Sequence, residues 1–410
     1  MASYTANRPA LLESRPDLGR DVVMLLGYTS WAGAVRRRQI HPEDQLTLKL
    51  IGSPRVGRLL VCNPFRSLPA RLLRPASGAA GELFPASASQ RLHEPVRLRR
   101  TDSTRIGAIE RSCARYERSV HKAAAELGLE RPAVITAHPL IAGFGRFDWA
   151  GPVTYYANDD LTAYPPLSPW WPAYEASFAR MRAAGRRAVG LTPKSLASVA
   201  PSGPGAVVPS GLIAEEWISP GSAPQWFLDL PAPRMVYVGT LDERIDVASV
   251  HALAAERPEG SVVLIGREGD LGPVAGLGAP ANVHLRPPIP RDQLTGLVAA
   301  ADLGLVPHVR SEQTKAMSPL KLFEYLGAGI PVAATDLPGI AAACPQRVAL
   351  AADSRDFGAA ANAALSLGRW DEATRLEFIA ESSWEQRFEK LLDVALPDAF
   401  SSQPSISSRG

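Results

Sequence analysis

The chain has 410 residues, 46% hydrophobic and 21% charged, which is a globular composition that argues against a largely disordered chain, and its length calls for two domains rather than one core. Three scattered cysteines, Cys62, Cys113 and Cys344, lack C-x-x-C spacing, so neither a disulfide framework nor a cysteine zinc site is expected, and a reducing cytoplasm fits. The net charge of +3 conceals a split: residues 1–210 hold 28 Lys and Arg against 16 Asp and Glu, or +12, and residues 211–410 hold 16 against 25, or −9.

Residues 1–20 read as a flexible lead-in with Glu13 and Asp17 and no apolar signal core, so no secretory peptide is expected. Residues 21–27 form a buried strand, far short of the roughly 20 apolar residues of a membrane span. A loop at 28–31 and a basic segment at 36–39 that opens a helix lead to a second strand at 58–63. Strand, helix-length connection and strand are the α/β signature. Residues 64–103, rich in Pro, Ser, Ala and Arg, lack periodicity and read as a loop or excursion, which at this length points to function. A helix follows over 104–127, with Ile106, Ile109, Tyr116, Val120, Ala124 and Leu127 in helical register, Arg111, Arg115, Arg118 and Lys122 on other faces, and Gly128 as its stop. This helix and the excursion carry much of the positive charge. An anionic acceptor or a phosphate-rich membrane surface would meet the chain here; a solvated basic face is the plainer alternative.

Strands at 133–136 and 153–156 end in Ala137-His138-Pro139 and Asn158-Asp159-Asp160, the strand ends where open parallel sheets bind ligands. Helix 171–184, strand 188–191, a helix begun by Lys194-Ser195 and strand 206–208 complete a domain over 21–210. Residues 211–234 read as a linker. A second series spans 235–380: strand 235–238, Gly239, helix 247–255, strand 262–265, Gly266, strand 283–285, helix 291–300 and strand 303–306. A closing helix over 381–396 and a disordered tail over 397–410 end the chain.

Within that series, Ser318 suits an N-cap, Pro319 the first helical position, and Gly327, Gly329 and Pro331 an abrupt stop, giving a helix over 319–326 and a buried strand over 332–335. Lys321 is the odd residue, because a cation in the first turn opposes the helix dipole. A phosphate bound there would reverse the sign, with Glu324 one turn later accepting from sugar hydroxyls. The plainer reading is an i,i+3 surface pair worth roughly 0.3 kcal/mol.

Several blocks resemble the GT-B glycosyltransferases, in particular the family 4-like, group 1 bacterial enzymes of cell-surface polysaccharides. The stretch 318–336 resembles their nucleotide-sugar motif, Tyr237-Val-Gly-Thr-Leu241 their post-linker strand and glycine loop, Val208-Pro-Ser-Gly-Leu212 their hinge, and 282–294 with 300–307 their base-pocket strand, helix and strand. Ser383-Trp384-Glu385 is similar to the start of their closing helix. The resemblance implies two Rossmann-like, doubly wound α/β domains facing a cleft, with a C-terminal helix crossing back to the first. It further implies that Glu324 holds the donor ribose, while Lys321 and the amides near Met317, Ser318 and Leu320 hold the diphosphate beside Gly239. Two positions depart from the family: Ala316 replaces an acid eight residues before the ribose Glu, and Thr240 and Ile245 replace an Arg and a Lys, with Arg244 adjacent.

Glycosyl transfer needs the leaving diphosphate stabilised and the acceptor hydroxyl held at the anomeric carbon. Lys321 and Arg244, then His308 or Arg310, are expected at the diphosphate. His138 would contact donor hydroxyls or act as a base, and Asp159 or Asp160 would deprotonate the acceptor; alternatively His138 caps a turn and the aspartates cap a helix. No metal and no cofactor is expected, since the nucleotide sugar is a substrate. Asp159-Asp160 lacks D-x-D spacing, and no strand is followed by G-x-G-x-x-G, which removes a dehydrogenase. The expectation is a UDP- rather than GDP-sugar donor and a lipid-linked or anionic saccharide acceptor, without nucleic acid, at the cytoplasmic membrane face. An epimerase of the same fold and an inactive GT-B scaffold that binds a partner are the alternatives.

Overall fold

The computed structural model describes residues 19–67, 84–97, 103–269 and 272–397. Most of the expected lead-in over 1–20, and the expected tail but for Pro397, lie outside the described residues.

Unbroken apolar runs make the strands. Val22, Val23, Met24 and Leu25, then Leu59, Leu60 and Val61, are fully buried, as strands covered on both faces must be. Strands β1 (Arg20–Leu25), β2 (Val56–Cys62), β4 (Gln90–His93), β6 (Ala133–Thr136), β7 (Val153–Ala157), β8 (Arg187–Gly190) and β9 (Gly205–Val207) form one sheet in the order β4-β2-β1-β6-β7-β8-β9. The short strands β3 (Arg66–Ser67) and β5 (Val96–Arg97) pair apart from it. A second sheet is built from β10 (Arg234–Val238), β11 (Ser261–Ile265), β12 (Val283–Arg286), β13 (Leu303–Val306), β14 (Val332–Thr335) and β15 (Val348–Ala351). Its order, β12-β11-β10-β13-β14-β15, reverses direction between β10 and β13, and ligands of open α/β sheets bind beyond the strand ends at such a point. Two compact units result, one holding the described residues up to Tyr155 and from Ala395 onward, the other Tyr156–Val394; the division falls inside β7.

Several elements differ from expectation. The arginines at 36–38 end a helix rather than open one: Trp31–Arg36 is capped by the Ser30 hydroxyl and stops where Arg38 and Gln39 turn to positive φ. The helix expected in this connection begins later, as Pro42–Gly52, where His41, Pro42 and Asp44 form a proline-started capping box. Part of the excursion at 64–103 is ordered as β3, β4 and β5. The region expected as a linker contains the short helices Ala214–Ile218 and Gln225–Leu228. The closing helix expected over 381–396 runs Trp384–Ala395, and a separate helix, Glu372–Ser382, precedes it with Ser383 extended between the two; the Ser382 carbonyl accepts from Leu212 N and Trp384 N donates to Leu212 O. The second helix meets strands of the first sheet as expected: Phe388 lies edge-on to Tyr156, and Arg187 donates to Val394 O at 2.8 Å. Just beyond it, Arg20 and Arg55 hold the carbonyls of Pro397 and Leu396.

Candidate functional site

At the carboxyl ends of β10 and β11 the backbone is drawn tight. Gly239 sits at φ +152, and a Cβ on Gly266 would lie 1.7 Å from the Gly239 carbonyl oxygen, so these turns touch backbone to backbone and only glycine fits. The helix Leu320–Gly327 is pinned above them by Tyr325: its ring covers Gly304 of β13, and its hydroxyl accepts from Val238 N at 2.8 Å. Leu322, Phe323, Tyr325 and Leu326 join the core of this unit, which leaves Lys321 and Glu324 to define the helix's polar edge.

Lys321 and Glu324 do not pair. The Lys321 Nζ lies 3.8 Å from the centroid of the Tyr237 ring, 3.4 Å from His308 Nε2, and 2.9 Å from where a Cβ on Gly239 would be. Among the described residues no carboxylate forms a salt bridge with it. Burial, and then the Arg244 charge, bring its pKa down to about 7, with Asp242 and Glu324 acting in the opposite direction. Burial also holds His308 well below its usual value, with Lys321 and Arg244 adding to the shift, so the imidazole is neutral. A half-buried ammonium over an aromatic face, with no counter-ion, is a place an anion can fill.

Glu324 instead bonds Arg291 at 2.5 Å, and Arg291 bonds Glu216 at 2.7 Å, with Arg291 also lying over the Trp217 ring. One Glu324 oxygen is therefore committed to Arg291, and a ribose hydroxyl would have to share the carboxylate. Neither Arg291 nor Glu216 was singled out from the sequence; the signal was there only as Pro290 preceding a helix start.

The helix opens one residue later than expected, with Pro319 as its cap and no side-chain cap bond. Ser318 does not cap it. Its hydroxyl accepts from Ser210 N and its carbonyl from the Ser210 hydroxyl, which ties the expected hinge to the helix start. Met317 N donates to Thr314 O at 3.3 Å, so the uncapped amides next to Lys321 are those of Leu320 and of Lys321 itself. Arg244 is held in a two-pronged ion pair with Asp242 at 2.5 Å. Ile245, where the family has a lysine, is 3% exposed and packed in the core. Ala316 is buried, and its carbonyl accepts from the Thr192 hydroxyl.

The remaining expected residues divide by role. The Asp160 carboxylate is spent on Thr162 N, the Thr162 hydroxyl and the Ser198 hydroxyl, so it caps the turn at Leu161–Ala163 instead of standing ready as a base. Asp159 accepts from Asp160 N; desolvation raises its pKa, while that bond and the Arg244 charge lower it. Asp159 thus shares the electrostatic field of Arg244. His138 belongs to the other unit, where it precedes the helix Pro139–Phe144 and its ring lies tilted against Tyr28, with centroids 4.7 Å apart. In the same unit lies a residue the sequence did not flag: the buried Glu43 accepts from Gly27 N, and burial lifts its pKa to about 7.

Residues 232–369 match the family model for glycosyl transferases of group 1. This stretch is a group 1 glycosyltransferase domain. The domain contains Gly239, Arg244, Lys321 and Glu324 together. A Bacillus subtilis (strain 168) protein, provisionally named the teichuronic acid biosynthesis glycosyltransferase TuaH, is 29% identical over 105 residues, which span 25% of this chain and 26% of that protein. Solved structures resemble the whole fold: a sucrose-phosphate synthase from Thermosynechococcus elongatus at 16% identity and TM-score 0.64, covering 91% of this chain and 97% of that one. A trehalose-6-phosphate protein from E. coli bound with UDP-2-fluoro glucose gives 12% identity, TM-score 0.64, and coverage of 91% and 98%. These likenesses give the group 1 domain its setting, a GT-B fold with two parallel sheets.

Proposed function

We propose that the chain transfers a sugar from a nucleotide-diphosphate donor, UDP favoured over GDP, to an anionic or lipid-linked saccharide acceptor in cell-envelope polysaccharide or glycoconjugate synthesis. The observation that carries this reading is the Lys321 ammonium, without a counter-ion, at the uncapped start of Leu320–Gly327 inside the group 1 domain. In this reading Lys321 and the Leu320 and Lys321 amides neutralise the diphosphate as it departs, where a preorganised cation is worth most. Glu324, oriented by Arg291, takes the ribose. Asp159, in the same unit, draws the acceptor proton. The reaction needs no metal in this scheme, so excess chelator leaves the rate unchanged; a rate abolished by chelator counts against it. The teichuronic acid assignment of the B. subtilis protein supports the cell-envelope acceptor.

One observation favours a second reading, a GT-B scaffold that binds without turnover: Ile245 is buried where the family has a lysine, and Glu324 is already paired. Calorimetric titration with a panel of UDP- and GDP-sugars, followed by a donor hydrolysis assay, separates the two. Binding with turnover is expected; failure to bind any nucleotide sugar removes the enzyme reading.

A further inference from the structure

A cavity of about 270 Å³ lies beyond the ends of β13, β14 and β15, with His308 and Thr335 in its wall. Both are buried, at 1% and 7% exposure, and both carry a polar atom without a partner, His308 Nδ1 and Thr335 Oγ1. Buried polar atoms are nearly always satisfied, so two orphans lining one cavity point to a missing hydrogen-bonding occupant. The Nε2 of His308 is turned to Lys321, which leaves Nδ1 for the cavity.

The charged residues around the cavity are already committed. Asp246 accepts from Ala248 N and from the hydroxyls of Ser249 and Ser354. Asp353 is paired with Arg355, and the Arg310 guanidinium is spent on the carbonyls of Asp336, Ala351 and Ala352. Neither a metal ion nor a phosphate finds an uncommitted countercharge there, and an apolar ligand would bury the hydroxyls at a loss. The volume, about 270 Å³, falls just below the roughly 300 Å³ at which drug-sized pockets begin, which suits one sugar ring.

We propose that this cavity binds a neutral monosaccharide through the Thr335 hydroxyl and His308 Nδ1, apart from the diphosphate subsite. The two subsites share the His308 ring. When Lys321 is an ammonium it donates to Nε2, so Nδ1 carries the ring proton and donates to a sugar oxygen. An occupied cavity favours that tautomer and hence the charged Lys321, giving positive coupling to the donor. The coupling rests on the donor reading; the sugar binding does not.

Saturation-transfer NMR and calorimetry with glucose, galactose and mannose, each at millimolar concentration and without nucleotide, test the site directly. At least one sugar binds; Thr335→Val weakens it about tenfold, as expected for a lost hydrogen bond in a site built around it, and Thr335→Ser restores it. Should Thr335→Val fail to fold by circular dichroism, Ser354→Tyr, which puts a bulky ring into the cavity lining, takes its place with the same expected loss. UDP in excess leaves sugar binding in place. No binding by any of the three sugars, binding displaced by UDP, or binding unchanged in the folded variant would overturn the proposal, as would a crystal grown with the sugar that holds only water there. A protein that binds hexose but no nucleotide sugar would sink the donor reading and leave this one standing.

Discussion

Lys321 and Glu324 stand three residues apart, and spacing alone would make them a surface pair; burial separates them into two different electrostatic settings. Lys321 keeps an uncompensated charge whose pKa is close to 7. In the proposed donor role its ammonium is the form that would bind a diphosphate, so donor affinity should be full below that pKa and fall as pH rises through it, approaching about tenfold per unit. Proton uptake accompanies donor binding above neutrality. Calorimetry in buffers of different ionisation enthalpy, on both sides of neutrality, should show this for the native chain and lose it in Lys321→Ala, whose affinity is lower throughout. Glu324 has the opposite problem, because Arg291 must be balanced by two acids at once. Arg291→Met leaves Glu216 and Glu324 facing each other and should cost about 3 kcal/mol in urea unfolding, as removal of one member of a buried ion pair does. Glu216→Gln, on the more exposed side, should cost under about 1 kcal/mol.

At the scale of elements, the placing of Leu320–Gly327 depends on Tyr325 more than on its caps. The ring fills the space that Gly304 leaves open, and the hydroxyl satisfies Val238 N at the edge of the Gly239 turn. Tyr325→Phe keeps the packing and strands that amide. The expected loss is about 1–3 kcal/mol, measured by thermal unfolding, together with weaker donor binding as the helix loses its tether to the turn. Gly266→Ala should destabilise more, because its Cβ meets backbone that cannot rotate away. The helix and strand positions here were legible from Pro, Gly and apolar runs. The capping roles were not: Ser318 looks like an N-cap in one dimension and turns to Ser210, 108 residues earlier, in three.

For the molecule as a whole, the +12 and −9 halves set the expected partners. On the helix Ile106–Glu126, Ile109, Cys113, Tyr116 and Val120 face inward, while Arg111, Arg115, Arg118 and Lys122 are exposed. Among the described residues no helix is long and apolar enough to cross a membrane, and the exposed basic residues of this helix make a charge-driven contact with an anionic surface the one to test. Co-sedimentation with phosphatidylserine vesicles should be strong at low salt, lost at high salt, and reduced in Arg111→Glu/Arg115→Glu; retention at high salt would argue against a charge-driven contact. The sequence by itself determined the α/β alternation, the two parallel sheets and the group 1 motif, because strand burial and glycine turns are local rules written every few residues. Only the tertiary structure decided that Lys321 sits over Tyr237 without a counter-ion, that Glu324 answers to Arg291, that Asp160 is a cap, and that two orphaned polar atoms share one cavity. Those outcomes depend on which distant side chains arrive at the same strand ends, and no local pattern encodes that meeting.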